Sequence, residues 1–308
     1  MILCCGEALI DMIPEPTKNG VDGFVPHCGG AIFNTAIALG RLGAPAGMLS
    51  GLSSDMFGQK LRAALAADGV DTSRVISSPR PTTLAFVELV DGHASYQFYD
   101  ENSAGRMITA TDLPALGDDV ALLYFGGISL ACEPGADAYA ALLDAEGTER
   151  AVMIDPNIRP GFIANEARYR ARLDRMFALA DVVKVSDEDL DWLLPGGAGL
   201  EQKARALLDK GPAIVIVTQG SKGAAAYLRG GDCVAVPAPR TQVVDTVGAG
   251  DTFNAGFLAK IAELGHLGKP DLRAAPSGVI KDALAFGAQI AAVTVSRAGA
   301  NPPYLKEV

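Results

Sequence analysis

Asp245-Thr246-Val247-Gly248-Ala249-Gly250-Asp251-Thr252-Phe253 is the stretch on which the reading of this chain turns. Val243 and Val244 read as the end of a strand feeding a turn of two glycines separated by one alanine. A helical pattern follows, with Phe253, Phe257 and Ile261 at spacing four and Ala255, Leu258 and Ala262 on the same side. Glycines let backbone amides converge, and at a helix N-terminus those amides and the dipole favour an anion. Asp251 lies in the first turn of that helix. A carboxylate there is out of place unless it acts on what binds. Next to a phosphoryl group in transit it would take the proton of an attacking hydroxyl. By itself the junction reads equally as a tight turn with an acid at a helix start. It is no dinucleotide fingerprint, since the third glycine is missing, and the chain has no G-x-x-x-x-G-K-[ST] loop.

The 308 residues suffice for one large α/β domain or two smaller ones. A hydrophobic share of 49% against 20% charged residues describes a well-cored globular chain. Lys+Arg 26 against Asp+Glu 36, a net charge of −10, argues against nucleic acid or an anionic membrane surface as the main partner. Five scattered cysteines and three histidines show no ligand spacing, so a structural zinc site is not expected. Cys4 and Cys5, adjacent in an apparent strand, should point to opposite faces as buried fillers. No apolar run approaches the roughly 20 residues of a membrane helix, and Met1–Glu7 reads as a strand, not a signal peptide. The expectation is a soluble, cytoplasmic protein.

From about residue 120, short apolar runs alternate with helical stretches. Residues 121–125, 152–154, 182–185 and 213–217 read as buried strands, and 136–145, 166–180 and 200–208 as helices. That alternation implies βαβ units and a doubly wound, mostly parallel sheet flanked by helices. Two stretches depart from it. Residues 82–90 and 93–99 read as strands joined by an Asp91-Gly92 turn, and residues 12–27 are rich in Pro and Gly with an alternating fragment at Phe24 and Val25.

The nine-residue string D-T-x-G-A-G-D-x-F is the C-terminal signature of the ribokinase-like (PfkB) family of sugar kinases, which the chain resembles. Gly29-Gly30-Ala31-x-x-Asn34 is similar to the family's N-terminal G-G-x-x-x-N signature, so the likeness covers nearly the whole chain. It implies one α/β domain over 1–308 with a small β lid made by segments 12–27 and 82–105. Closure of such a lid would keep water from the phosphoryl group.

Asp11, after the first strand, and Asn34, in the first turns of a helix, stand where ligands dock in open α/β sheets. An acid and an amide can divide a sugar's hydroxyl donors and acceptors between them, although alone they also read as a loop acid and a helix-start residue. The resemblance implies that Asp11, Gly29, Gly30 and Asn34 touch substrate. Arg159 in Asp155-Pro156-Asn157-Ile158-Arg159 reads as the partner of a structural acid or, by resemblance, as a group reaching the acceptor or the phosphate, with Asn157 placing a metal through water. Ser186-Asp187-Glu188-Asp189 approximates a capping box. Relatives hold N-x-x-E there to organise the waters of Mg²⁺; Ser186 and Asp189 replace both, with Asp189 the candidate toward the metal. Thr218-x-Gly220-x-x-Gly223 reads as a turn or, by resemblance, as a nucleotide contact, joined by Lys184, Ser186, Gly248 and Gly250. Residues 291–301 resemble a segment that lends carbonyls to K⁺, with Asp245 and the Val247 carbonyl completing the ring.

Within the family, Tyr96–Ala104, Ser129-Leu130 with Glu133-Pro134, and Lys184–Glu188 resemble the fructokinases, and Phe98 would offer a ring face to the sugar. The implied activity is transfer of the γ-phosphate of ATP, with Mg²⁺, to a fructose hydroxyl. Asp251 would be the base, and the Gly248, Ala249 and Gly250 amides would form the anion hole. Other acceptors stand beside it: 2-keto-3-deoxygluconate, which Arg106 and Arg159 would suit, ribose, or a nucleoside. A non-catalytic sugar or nucleotide sensor has no need of Asp251, and a nicotinamide oxidoreductase would want G-x-G-x-x-G where the chain has Gly6-Glu7-Ala8-Leu9. The 82–100 hairpin is long enough to pair two lids in a homodimer.

Overall fold

The structure, a computed structural model, describes residues 1–90 and 93–308, with backbone alone at residues 22, 88–90 and 93–96. The chain opens with β1 (Ile2–Cys5), β2 (Leu9–Pro16), β3 (Asp22–Gly29), α1 (Ala31–Arg41), β4 (Ala46–Leu49), β5 (Gly51–Ser53), α2 (Met56–Ala67), β6 (Ile76–Ser78), β7 (Leu84–Val90) and β8 (His93–Tyr99). It continues with β9 (Leu122–Gly126), α3 (Gly135–Glu146), β10 (Ala151–Asp155), α4 (Glu166–Leu179), β11 (Val182–Ser186), α5 (Asp187–Leu193), α6 (Leu200–Leu208), β12 (Ile214–Thr218), β13 (Ala224–Leu228) and β14 (Cys233–Val236). The helices α7 (Ala249–Glu263), α8 (Lys269–Arg273) and α9 (Ser277–Val295) close it.

Eight strands form one sheet in the order β14-β13-β12-β11-β10-β9-β1-β4, parallel except where β13 and β14 join antiparallel. This is the doubly wound, mostly parallel sheet expected. Its strands are apolar on both faces because helices cover both. Ile2 and Cys4 face a core shared with α1, α2, α7 and α9, while Leu3 and Cys5 face one shared with α3, α4 and α6, so the two cysteines do part to opposite sides. Each buried Ile, Leu or Phe contributes about 1.5–3 kcal/mol, which makes these two cores the main source of stability.

Neighbours of β1 are reached in opposite directions: β4 through α1 on one side, β9 on the other. Such a switch point leaves a crevice at the carboxyl ends of the strands. A four-stranded sheet, β3-β2-β7-β8, stands beside that crevice, antiparallel except between β2 and β7. It is built from the two stretches that break the alternation, although the first runs from Leu9 to Gly29 and so exceeds the expected 12–27. Asp11 is consequently an interior residue of β2, paired with His27, and not a loop acid after β1. The Asp91-Gly92 turn lies outside the described residues.

Two expectations need correction. Val243 and Val244 are not a strand: both are 59% exposed, so no burial rewards pairing them. The Val244 and Asp245 amides instead donate to the Val295 carbonyl at the end of α9 (2.8 and 3.2 Å). Second, α9 is 19 residues long and apolar enough, by length and composition, to cross a membrane. It packs on α7 by backbone approach, since a Cβ on Gly256 would come within 2.8 Å of the Gly287 Cα. Ile280, Leu284 and Ile290 are buried while Lys281, Asp282 and Gln289 are exposed, the pattern of a helix covering a core.

Candidate active site

α7 begins at Gly248, whose φ of 77° is left-handed and where a Cβ would meet the Ala300 Cβ at 2.7 Å. Only glycine meets both demands. The first amides of an α-helix have no intrahelical acceptor, so Gly248, Gly250 and Asp251 form an amide-rich edge at the carboxyl end of the sheet, while the Ala249 amide donates to the Thr246 carbonyl at 3.3 Å. Asp251 is 7% exposed. Its Oδ2 accepts from Asn34 Nδ2 at 2.9 Å, and its carbonyl accepts from Thr35 Oγ1 at 3.1 Å, so α1 holds α7 on both sides of this residue. Burial pushes the Asp251 carboxyl up to about 7; the Asn34 hydrogen bond opposes this, Asp155 adds to it, and Lys184 opposes it in turn. The group is poised for proton exchange near neutrality.

Asp251 opens on a cleft of about 520 Å³ that Asp11, Gly30, Asn34, Phe98 and Arg159 also line. Asp11 reaches it from β2, and burial pushes its carboxyl up to about 6. Gly29 makes room for that carboxylate, since a Cβ there would sit 2.0 Å from Asp11 Oδ2. Gly30, at φ 105°, turns the chain into α1 against the Glu7 carbonyl. Phe98 meets Phe162 edge-to-face, centroids 4.3 Å apart. Sequence-distant residues from β2, α1, β8, the β10 loop and α7 therefore converge on one cleft.

A second cavity of about 400 Å³ adjoins the first and is lined by Asn157, Arg159, Lys184, Ser186, Asp189, Thr218 and Gly250. Ser186 and Asp189 do form a capping box: Ser186 Oγ accepts the Asp189 amide at 2.9 Å and Asp189 Oδ2 accepts the Ser186 amide at 3.3 Å. Asp189 Oδ1 also accepts the Ile158 amide at 3.0 Å, which ties α5 to the Asp155–Arg159 loop. Both its oxygens thus serve the backbone, and among the described residues no three His, Cys, Asp or Glu side chains cluster closely enough to hold a metal. Asn157 takes a left-handed φ of 41° and donates its amide to Asp155 Oδ1 at 3.2 Å.

Some expected residues stand elsewhere. Gly220 and Gly223 line neither cavity; Gly223 is required by packing, since a Cβ there would lie 2.1 Å from the Val236 carbonyl. Asp245 accepts the Val247 and Gly299 amides (3.0 and 2.9 Å), and Val247 reaches the edge of the larger cleft. Arg106 is drawn away from the acceptor cleft by Asp100 (2.9 Å) and the Glu133 carbonyl (3.0 Å), leaving Arg159 as the arginine that faces it. Arg159 has no structural acid as partner among the described residues and donates to the Ile158 carbonyl at 3.1 Å.

Sequence reasoning passed over three residues. Glu7 lines the cleft and accepts the Ser129 amide and hydroxyl; burial pushes its carboxyl up. Asp155, 2% exposed, holds Lys184 Nζ at 2.9 Å. Asn254 donates to both Asp155 Oδ2 (2.7 Å) and the Tyr124 hydroxyl (2.9 Å). An amide side chain at position 254, beside the Phe253, Phe257 and Ile261 apolar series of the same helix, was the available signal.

The model of the pfkB family carbohydrate kinases matches residues 1–307. A fructokinase of Rhizobium leguminosarum bv. trifolii is 54% identical over 265 residues, covering 85% of this chain and 79% of that protein. Among solved structures, a fructokinase with bound ATP from Xylella fastidiosa superposes with a TM-score of 0.87 at 31% identity, covering 97% of this chain and 93% of that one. A fructokinase from Vibrio cholerae O395, in a form with bound fructose, ADP and calcium ion, gives 0.85 at 27% identity, covering 97% and 94%. The match over almost the whole length, together with the ribokinase-like order of the sheet, shows that the chain belongs to the pfkB family of carbohydrate kinases.

Proposed function

We propose that this kinase is an ATP-dependent fructokinase, transferring the γ-phosphate of ATP to the primary hydroxyl of D-fructose. The observation that carries phosphotransfer is Asp251, a buried carboxylate with its pKa at about 7 beside the amides that open α7. The choice of fructose rests on the 54% identity to a fructokinase. Fructose would lie in the larger cleft with hydroxyls on Asp11 and Asn34 and a face against Phe98. Asp251 takes the proton as the hydroxyl oxygen attacks phosphorus, and the Gly248–Asp251 amides stabilise the charge that gathers on the transferred oxygens. Thr218, Ser186 and Lys184, on the second cavity, would meet the nucleotide, with Gly220 and Gly223 shaping the turn beyond.

The residues fit a divalent ion held mostly by phosphates and water, because Asp189 has lone pairs left but, among the described residues, no companion acids close enough for a protein-only site. Asn157, Glu188 and Asp189 would orient that water, and Mg²⁺ would supply charge neutralisation on the phosphates. Asp245 and the Val247 carbonyl fit a monovalent cation such as K⁺, whose role would be to stiffen the turn into α7. Residues 1–308 would act as one domain, with the β3-β2-β7-β8 sheet closing over the sugar as a lid. Its exposed Phe24, Val25 and Tyr99 would pair two lids in a homodimer, testable by light scattering. Dependence on ATP, and five cysteines that are all free, suit the cytoplasm.

The deciding assay is ADP release from Mg-ATP with fructose, 2-keto-3-deoxygluconate, ribose, glucose and adenosine, with and without K⁺. Turnover on fructose above the rest is the expected outcome. Preference for the keto-acid would move the acceptor to an anion read by Arg159, and no turnover on any would overturn the kinase reading in favour of a sensor.

A further inference from the structure

The two cavities share Asn157, Arg159, Pro160, Lys184 and Gly250. A phosphoryl group passing from a nucleotide in one to a sugar in the other crosses this seam. Two of the five residues are cations, and they differ. Arg159 is exposed and donates only to its neighbour's carbonyl among the described residues. Lys184 is 5% exposed, and its ammonium lies where a Cβ on Gly250 would come within 3.3 Å.

Lys184 is held from behind. Asp155 takes one of its donors at 2.9 Å, and the same Oδ2 accepts from Asn254 at 2.7 Å. Asn254 lies one turn beyond Asp251 on α7, and the Tyr124 hydroxyl braces the same amide from β9. The cation, the anion-hole helix and the base are therefore joined in one buried polar chain. A buried ion pair is a poor stabiliser, because desolvating two charges offsets most of their attraction. An ammonium carries three donors, and Asp155 accounts for one, leaving two toward the seam.

We propose that Lys184 is a catalytic residue whose ammonium contacts the phosphoryl group in flight, and that Asp155 and Asn254 are positioning residues that keep it in register with Asp251. The proposal rests on the kinase reading and deepens it. In the step, the bond from sugar oxygen to γ-phosphorus forms and the bond from γ-phosphorus to the β–γ bridging oxygen breaks. That electron pair leaves on ADP, the hydroxyl proton passes to Asp251, and Lys184 makes and breaks no covalent bond.

The test compares wild type with Lys184→Met/Asp155→Asn, which removes the cation without stranding a buried charge. Wild type is first run on the sugar panel, and the sugar that turns over is used throughout, so that failure of fructose alone leaves the Lys184 comparison intact. If no sugar turns over, this proposal falls with the kinase reading. The readouts are kcat, the KM for each substrate, and calorimetric binding of MgADP with and without fluoroaluminate, a planar phosphoryl mimic. Expected are a kcat lower by about 10²-fold or more, KM values within about threefold, and loss of a similar factor from the tightening that fluoroaluminate gives to MgADP. A kcat within threefold of wild type, unchanged fluoroaluminate tightening, or a raised ATP KM at normal kcat would each overturn it. If the double variant does not fold, wild type labelled with ¹⁵N at the lysine Nζ answers instead. One protected ammonium signal should shift with MgADP, fluoroaluminate and sugar together but not with MgADP alone, and an unmoved signal would sink the proposal.

Discussion

Two buried aspartates, Asp155 and Asp181, hold cations at opposite ends of the same sheet, and the contrast separates what stabilises this molecule from what makes it work. Asp181 precedes β11 at the amino end and is fully buried. It accepts the Val152 amide (2.8 Å), Lys269 Nζ (2.8 and 2.9 Å) and Arg273 Nη1 (2.8 Å). Lys269 places its remaining donors on the Arg150 and Leu179 carbonyls. Every group there is used, and the result fastens α8 to the sheet. Asp155 ends β10 at the carboxyl end and holds Lys184 by a single contact, with the ammonium at the junction of two cavities. The same chemistry is saturated where it serves packing and leaves the ammonium with donors to spare where the proposed reading puts a ligand.

The comparison can be sharpened by removing groups at each end. The largest effect belongs to Asp251→Asn, which should lower kcat by ~10²-fold or more with little change in either KM. A variant with near-normal kcat would remove Asp251 as the base. At the other end, Asp181→Ala should cost about 3 kcal/mol in urea unfolding, by leaving two cations and an amide without their partner, while kcat of the folded protein stays within twofold. A loss of kcat rivalling that at Lys184 would break the distinction between the two ends.

Acidity offers a third test. The base must be ionised, so kcat/KM for the sugar should climb about tenfold per pH unit below pH 7 and level off above it, and Asp251→Asn should lose that limb. Stability should move the other way. The folded carboxyl titrates at about 7 against 3.8 for the ordinary group, so the folded state holds the proton more tightly. Stability therefore declines as pH rises from about 4 to about 7. Asp251→Asn should flatten that decline in a series of melting temperatures, and parallel curves would refute it. The smallest effect is reserved for Arg106→Ala, which should change the fructose KM by less than about threefold, whereas Arg159→Ala should raise it further.

The main sheet was legible because its strands are continuous apolar runs between helical spacings. The start of α7 was legible because the glycine at 248 and the acid at 251 carry chemistry in their local order. The small sheet was legible as two breaks in the pattern, but not that Leu9–Pro16 begins it, since Leu9 and Ile10 look like more of the same core. Val243 and Val244 misled because apolar character was taken for burial; the partner they find is a helix-end carbonyl, which composition does not announce. Arg106 misled because its partner Asp100, six residues away, is met only through tertiary folding. The Asp155–Lys184–Asn254 chain joins three elements far apart in sequence, and no local spacing encodes it.

The seating of α7 between α1 and α9, with the Val295 carbonyl and the Gly299 amide holding the turn at 244–245, has a consequence for how the protein comes into being. The proposed base and anion hole are encoded ahead of the helix that supports them. A nascent chain that has emerged only as far as α7 carries every group to which the proposed chemistry assigns a role but lacks the surface on which Gly256 and the turn before Gly248 are seated. Phosphotransfer should therefore switch on late and abruptly during synthesis, once α9 has emerged and packed on α7, and chains truncated before α9 should accumulate as inactive, chaperone-bound species.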